Sequence, residues 1–154
     1  MEEKPRKRIG ELLIEDGALS REQLNEALEV QKKHGGLIGQ ILISHGYITE
    51  ENLTAALGRQ LDIPYLSVAH YALNLDAVGL MHDDFCRRNF LLIFDQDDHR
   101  VFVAIADPLN HIALQEIEKQ VKKQQQIFIS TPTEIITALD KIAIGAKKEM
   151  KKAV

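Results

Sequence analysis

The chain has 154 residues, enough for one ordinary domain or two small ones, and its 45% apolar and 27% charged composition is that of a globular rather than a disordered protein. A net charge of −4 argues against a nucleic-acid coat or a polybasic membrane anchor, and no apolar run reaches the roughly eighteen residues that a spanning helix needs. One cysteine, Cys86, excludes an internal disulfide, and the basic start MEEKPRKRIGE lacks the apolar stretch of a signal peptide, which together point to the cytoplasm.

Lys4, Arg6 and Lys7 read as a solvated tail. An internal repeat follows at once. Residues 8–31, RIGELLIEDGALSREQLNEALEVQ, align without gaps on residues 37–60, LIGQILISHGYITEENLTAALGRQ, and ten of the twenty-four positions are identical, too many for coincidence in so short a chain. The spacer KKHGG separates the copies.

Each copy reads as helix, turn, helix. Ile9, Leu12 and Leu13 recur at helical spacing, and Gly17 sits where a helix ends on a left-handed residue. Ser20 followed by Gln23 forms a capping box that opens a second helix carrying Leu24, Ala27, Leu28 and Gln31 on one face. The second copy repeats these devices with Ile38, Ile41, Leu42, Gly46, Thr49, Leu53, Ala56, Leu57 and Gln60. Leucines so spaced are core residues in the ordinary case. Gly10 and Gly39 are harder to explain, because glycine in the first helical turn costs about 1 kcal/mol against alanine. A glycine there permits close approach of another backbone or of a ligand, so a larger side chain is expected to block a ligand while the fold survives. At Gly17 or Gly46 the fold itself should suffer. Gln31 and Gln60 end the apolar stripe with an amide that wants a specific partner.

LDIPYL at 61–66 reads as an extended segment closing the repeat region, and residues 75–89 as one or two short helices. LLIFDQ and VFVAIAD, separated by DDHR, form the clearest strand pair, HIALQEIEKQVKKQ a helix, IFIST a third strand and TEIITALDKIA a last helix. The fold class is therefore α+β: an all-helical tandem helix-turn-helix repeat over 1–60, a small α/β subdomain of order β-β-α-β-α over 61–143, and a charged tail or linker at 144–154.

Catalytic patterns are missing. The six histidines have no ligand spacing, and the acidic DQDD at 95–98 lacks the glycine and glutamate of a calcium loop, which favours a hairpin turn. No G-x-S-x-G, H-E-x-x-H or G-x-x-x-x-G-K-[ST] occurs. The chain reads as a binding module, not an enzyme.

The pattern R-[L/I]-G-x-x-L-x-x-x-G-x-x-x-x-x-x-L-x-x-x-L-x-x-Q, repeated after a five-residue spacer, resembles the MshEN-type domain at the N-terminus of type II secretion and type IV pilus assembly ATPases, a domain that binds cyclic di-GMP in that family. Arg8, Ile9, Gly10, Leu13, Gly17, Leu24, Leu28 and Gln31 match it, and Ile38, Gly39, Leu42, Gly46, Leu53, Leu57 and Gln60 match it again. Leu37 stands where the first copy has Arg8, so the two copies should contribute unequally. The resemblance implies a regulatory ligand, cyclic di-GMP, and no cofactor or metal. It also implies a role for Asp107, in the A-D-P after the second strand, in reaching the bound nucleotide; the plain alternative for Asp107 is an Asx turn before Pro108. Implied partners are a secretion or pilus ATPase and an inner-membrane platform protein, without DNA, RNA or direct membrane insertion. The protein would then be cytoplasmic, reaching the inner membrane only through partners. Lacking a phosphate-binding loop, it would be the regulatory portion of such an ATPase or a stand-alone version of it. The rival reading is a nucleotide-independent docking module for the platform protein.

Overall fold

The computed structural model describes residues 8–152, and the side chains within it through residue 147; Lys4, Arg6 and Lys7 lie outside the described residues. The chain divides between Ile63 and Pro64 into two compact units.

In the first unit, α1 (Ile9–Glu15) and α3 (Ile38–Ser44) are short opening helices, and α2 (Arg21–His34) and α4 (Glu50–Leu61) are the longer second helices of each copy. The turn chemistry is duplicated as well. The Ala18 N–H donates to the Leu13 carbonyl and the Gly17 N–H to Ile14, and Tyr47 and Gly46 do the same to Leu42 and Ile43. These are Schellman closures, with Gly17 at φ +75° and Gly46 at φ +73°, where a side chain would be strained. Ser20 and Thr49 each cap the next helix through reciprocal boxes with Gln23 and Asn52.

Packing between copies is reciprocal: α1 lies against α4, and α2 against α3. Exchanging the two copies converts one pair into the other, the pattern of a pseudo-two-fold relation rather than of a stacked solenoid. One core results, built from Leu12, Leu13, Leu19, Leu24, Ala27, Leu42, Ile48 and Ala56. The polar clamps across it are not duplicated. Arg59 pairs with Glu15 and Asp16 at the end of α1, and Tyr47 donates to Glu26, whereas the counterparts of Arg59 and Tyr47 are Val30 and Ala18.

The second unit has α5 (Leu75–Val78), α6 (Asp83–Asn89), β1 (Leu91–Gln96), β2 (Arg100–Ile105), α7 (His111–Gln120), β3 (Gln124–Ile129) and α8 (Pro132–Lys152), preceded by a 3-10 turn at Val68–His70. The β-β-α-β-α order is the expected one. β1 and β2 pair antiparallel across a bulge at Phe94, and β3 joins β2 in parallel through the α7 crossover. The hairpin turn is held by Asp97, whose carboxylate accepts from the His99 and Arg100 backbone N–H groups and pairs with the Arg100 side chain. Among the described residues no cluster of three metal-ligating side chains occurs, and no helix is long and apolar enough to cross a membrane. Two expectations need correction. Leu61 is the last residue of α4 and the Ile63 N–H closes that helix on the Gly58 carbonyl, while Tyr65 pairs in parallel with Ile129, so only the stretch from Pro64 onward is extended, and it adds to the sheet of the second unit. Residues after 143 continue α8 to Lys152, because the charged run AKKEMKK, good helix formers without proline, extends the last turn rather than ending it.

Candidate functional site

The first unit holds a groove of about 370 Å³, within the range of small-molecule sites. Its lining joins the start of α1 (Arg8, Ile9, Gly10 and Glu11) to Arg21, Leu24, Leu28 and Gln31 of α2, and adds Ile38 and Gln60 from the second copy. Eight of these ten residues are among the positions singled out from the sequence: Arg8, Ile9, Gly10, Leu24, Leu28, Gln31, Ile38 and Gln60. Ordinary backbone logic assembles them. The Schellman turn reverses the chain after α1, and the Ser20 cap starts α2 so that Leu24 returns beneath Gly10.

That return explains the first-turn glycines. A Cβ on Gly10 would stand 2.7 and 2.9 Å from the two methyls of Leu24, and a Cβ on Gly39 would stand 2.8 and 2.9 Å from those of Leu53. Both glycines are buried, and both admit the leucine fourteen residues on. The close approach they permit is to a leucine side chain within each copy, so both glycines have a packing role, and a larger side chain there would have to move those leucine methyls. Gly10 also contributes backbone to the groove. The α1 and α3 helices have seven residues each and no side-chain cap, so their aligned peptide dipoles are short.

Other predicted positions lie elsewhere. Leu13 and Leu42 are fully buried, so they shape the fold and present no surface to a ligand. Gly17 and Gly46 occupy the far ends of α1 and α3 as turn residues. Leu37, Gly39, Leu53 and Leu57 are outside the groove's lining, and Leu37 is 74% exposed. Gln31 has found its partner: its Nε2 donates to the Gly36 carbonyl at 3.0 Å, tying α2 to the spacer. Its amide oxygen and second N–H are what it has left to offer a guest. Asp107 belongs to the second unit, where its Oδ1 accepts from the Leu109 N–H at 3.0 Å in an Asx turn across Pro108.

The two residues missed by sequence reasoning are Glu11 and Arg21. Their side chains form a two-pronged ion pair, with Nη1 to Oε1 at 2.7 Å and Nη2 to Oε2 at 2.9 Å. The hydrogen bond from Arg21 holds the Glu11 carboxyl below the usual carboxylate range and raises the guanidinium in turn. A signal was present in the alignment of the copies, where Glu11 faces Gln40 and Arg21 faces Glu50.

The fold is thus a pseudo-symmetric helical repeat with a polar-and-apolar groove, followed in the chain by a small α/β unit. The chain belongs to the MshEN domain family, whose model matches residues 61–148. In structure it is similar to MshE, solved with cdg, at 30% identity and a TM-score of 0.76 over 88% of this chain and 99% of that one. The fold is shared with the N-terminal domain of XpsE, at 19% identity and a TM-score of 0.69 over 91% of this chain and 97% of that one. In sequence it is similar to the type IV pilus assembly ATPase PilB of Thermus thermophilus, 30% identical over 76% of this chain, and to PilB of Myxococcus xanthus, 25% identical over 87%. The chain spans 17% and 24% of the lengths of those two proteins. The family match falls on the second unit, whereas the repeated motif lies before it; the likeness to MshE covers most of both.

Proposed function

We propose that this chain is a nucleotide-sensing module of a type IV pilus or type II secretion ATPase system, and that the groove of the repeat unit takes cyclic di-GMP. The observation that carries the reading is the composition of that groove. Guanidinium groups (Arg8, Arg21), amides (Gln31, Gln60) and apolar side chains (Ile9, Leu24, Leu28, Ile38) meet in one place. Cyclic di-GMP offers a matching set: two phosphates for arginine, two flat purines for aliphatic surface and arginine stacking, and base edges for amides. The likeness to MshE, solved with cdg, which we take as cyclic di-GMP, supports the same ligand here. PilB relatives support the pilus or secretion machinery as the setting; an inner-membrane platform protein as partner is what the family resemblance implies. The proposed role is to sense a nucleotide without hydrolysing one, in keeping with these 154 residues having no Walker A sequence.

Calorimetric titration and thermal melting with cyclic di-GMP, linear pGpG, GMP and ATP test the reading. At a hundredfold excess over Kd the cyclic dinucleotide should stabilise the protein by about 2.7 kcal/mol. That corresponds to a rise in Tm on the order of 5–10 °C, with weak effects from the other three nucleotides. Absence of heat and of a melting shift at millimolar cyclic di-GMP would overturn it and favour the nucleotide-independent docking role.

A further inference from the structure

We infer that Arg21 is the second phosphate-reading cation of the groove, supplying the charge that Leu37 lacks, and that Glu11 holds it ready by occupying it until an anion arrives. The inference rests on the nucleotide reading above and names the residues that would make recognition one-sided.

A ligand with two phosphates calls for two cations, and the duplicated motif offers one, because Leu37 replaces the arginine of the first copy. The groove nevertheless has two guanidinium groups in its lining, Arg8 and Arg21, both from the first copy. The corresponding positions of the second copy, Leu37 and Glu50, carry no positive charge. Charge is therefore gathered on one copy while the fold is shared by both.

The Arg21–Glu11 pair is exposed, with side chains 57% and 46% accessible, and pairs of that kind add little to stability. Its geometry does something else. Both prongs of the guanidinium are engaged by both carboxylate oxygens, which fixes the plane of a side chain that would otherwise sample many rotamers. A phosphate presents the same fork of two oxygens and can take the carboxylate's place on Arg21 without reorienting it. While Glu11 remains, the three charged side chains of the lining sum to +1; replacing Glu11 by a neutral residue raises the sum to +2. Glu11 would thus set the affinity from inside the site by competing for Arg21.

The test is calorimetric titration of cyclic di-GMP into the wild-type chain, Arg21→Gln, Arg21→Lys and Glu11→Gln at two salt concentrations, with melting curves of each. Arg21→Gln should weaken binding about tenfold and flatten its salt dependence, Arg21→Lys should recover part of the loss, and Glu11→Gln should tighten binding about threefold or more. All three should melt within a few degrees of wild type, as a surface pair requires. Wild-type binding with unchanged affinity in the Arg21 variants would reduce the pair to a surface ion pair and overturn the inference while leaving the nucleotide reading in place. Weaker binding in Glu11→Gln would overturn the competitive role of Glu11. A wild-type chain that binds no cyclic di-GMP would remove the nucleotide reading itself, and the inference with it.

Discussion

The two copies of the helical repeat have the same backbone devices and different chemistry. Gly10 and Gly39 admit Leu24 and Leu53; Leu13 and Leu42 fill one core; Gly17 and Gly46 close the same turn. Arg8, Glu11 and Arg21, by contrast, face Leu37, Gln40 and Glu50. Identity between the copies marks the positions that hold the pseudo-two-fold fold together and also most of the groove's lining, since Ile9, Gly10, Leu24, Leu28, Gln31, Ile38 and Gln60 all stand where the copies agree. Difference between the copies marks the charged part of that lining, Arg8, Glu11 and Arg21. The duplicated motif is thus a good guide to the groove's apolar and amide lining and a poor one to its charges, which sit where the copies diverge.

The largest expected effects fall on the shared core. Leu13→Ala and Leu42→Ala should each destabilise the protein by about 2–5 kcal/mol, and by similar amounts, because both side chains are fully buried in one cluster. Chemical denaturation of the two variants checks this. A mild effect at one position and a severe one at the other would break the structural equivalence of the copies.

Next come the first-turn glycines. Gly10→Val and Gly39→Val must displace Leu24 and Leu53, an overpacking that costs about 1–3 kcal/mol in each copy. Melting curves should show paired losses, and cyclic di-GMP titration should show Gly10→Val the more damaging, since Gly10 is in the groove's lining and Gly39 is not. Two variants that melt like wild type would return the glycines to a purely ligand-facing role.

Binding should divide the copies more sharply than stability does. Arg8→Ala should weaken cyclic di-GMP about ten- to hundredfold, the scale of lost hydrogen bonds to a charged group. Leu37→Arg, at a position 74% exposed, should fold normally and leave affinity unchanged or tighter. Parallel titrations decide it, and lost binding in Leu37→Arg would give the exposed leucine a role that the groove does not assign to it.

How much of this was legible in the sequence follows from the range of each interaction. Caps, Schellman turns and the helix-turn-helix periodicity depend on residues within six positions of one another, and Ser20, Gln23, Thr49 and Gly17 announced them. The order of elements in the second unit was equally plain, since LLIFDQ and VFVAIAD are short apolar runs on either side of the polar DDHR. What could not be read was set by chain reversal. The Glu11–Arg21 pair spans ten residues, Gly10 meets Leu24 across fourteen, and the pairing of α1 with α4 depends on both copies at once. The motif positions Leu13 and Leu42 were counted toward a site because ligand-facing and core-facing leucines have the same spacing on a short helix.

The smallest effect concerns pH. Glu11 titrates below the usual carboxylate range because Arg21 donates to it, so the stabilisation from the pair is present above the unfolded-state value and is lost as pH falls through the lower folded value. Nuclear magnetic resonance of the Glu11 carboxyl should give a midpoint below the ordinary glutamate value of about 4.3, and Arg21→Gln should restore it. Gln40 cannot titrate, so the second copy has no such step.

On the proposed reading, cyclic di-GMP sits in the groove between α1 and α2, completed by Ile38 and Gln60. Titrating the dinucleotide into isotope-labelled protein and following backbone amides by nuclear magnetic resonance tests it most directly. The predicted result is saturable perturbation centred on Ile9, Gly10, Arg21, Leu28, Gln31 and Ile38, with little at the turn glycines Gly17 and Gly46. Perturbations confined to residues 64–152, or none at saturating ligand, would contradict it.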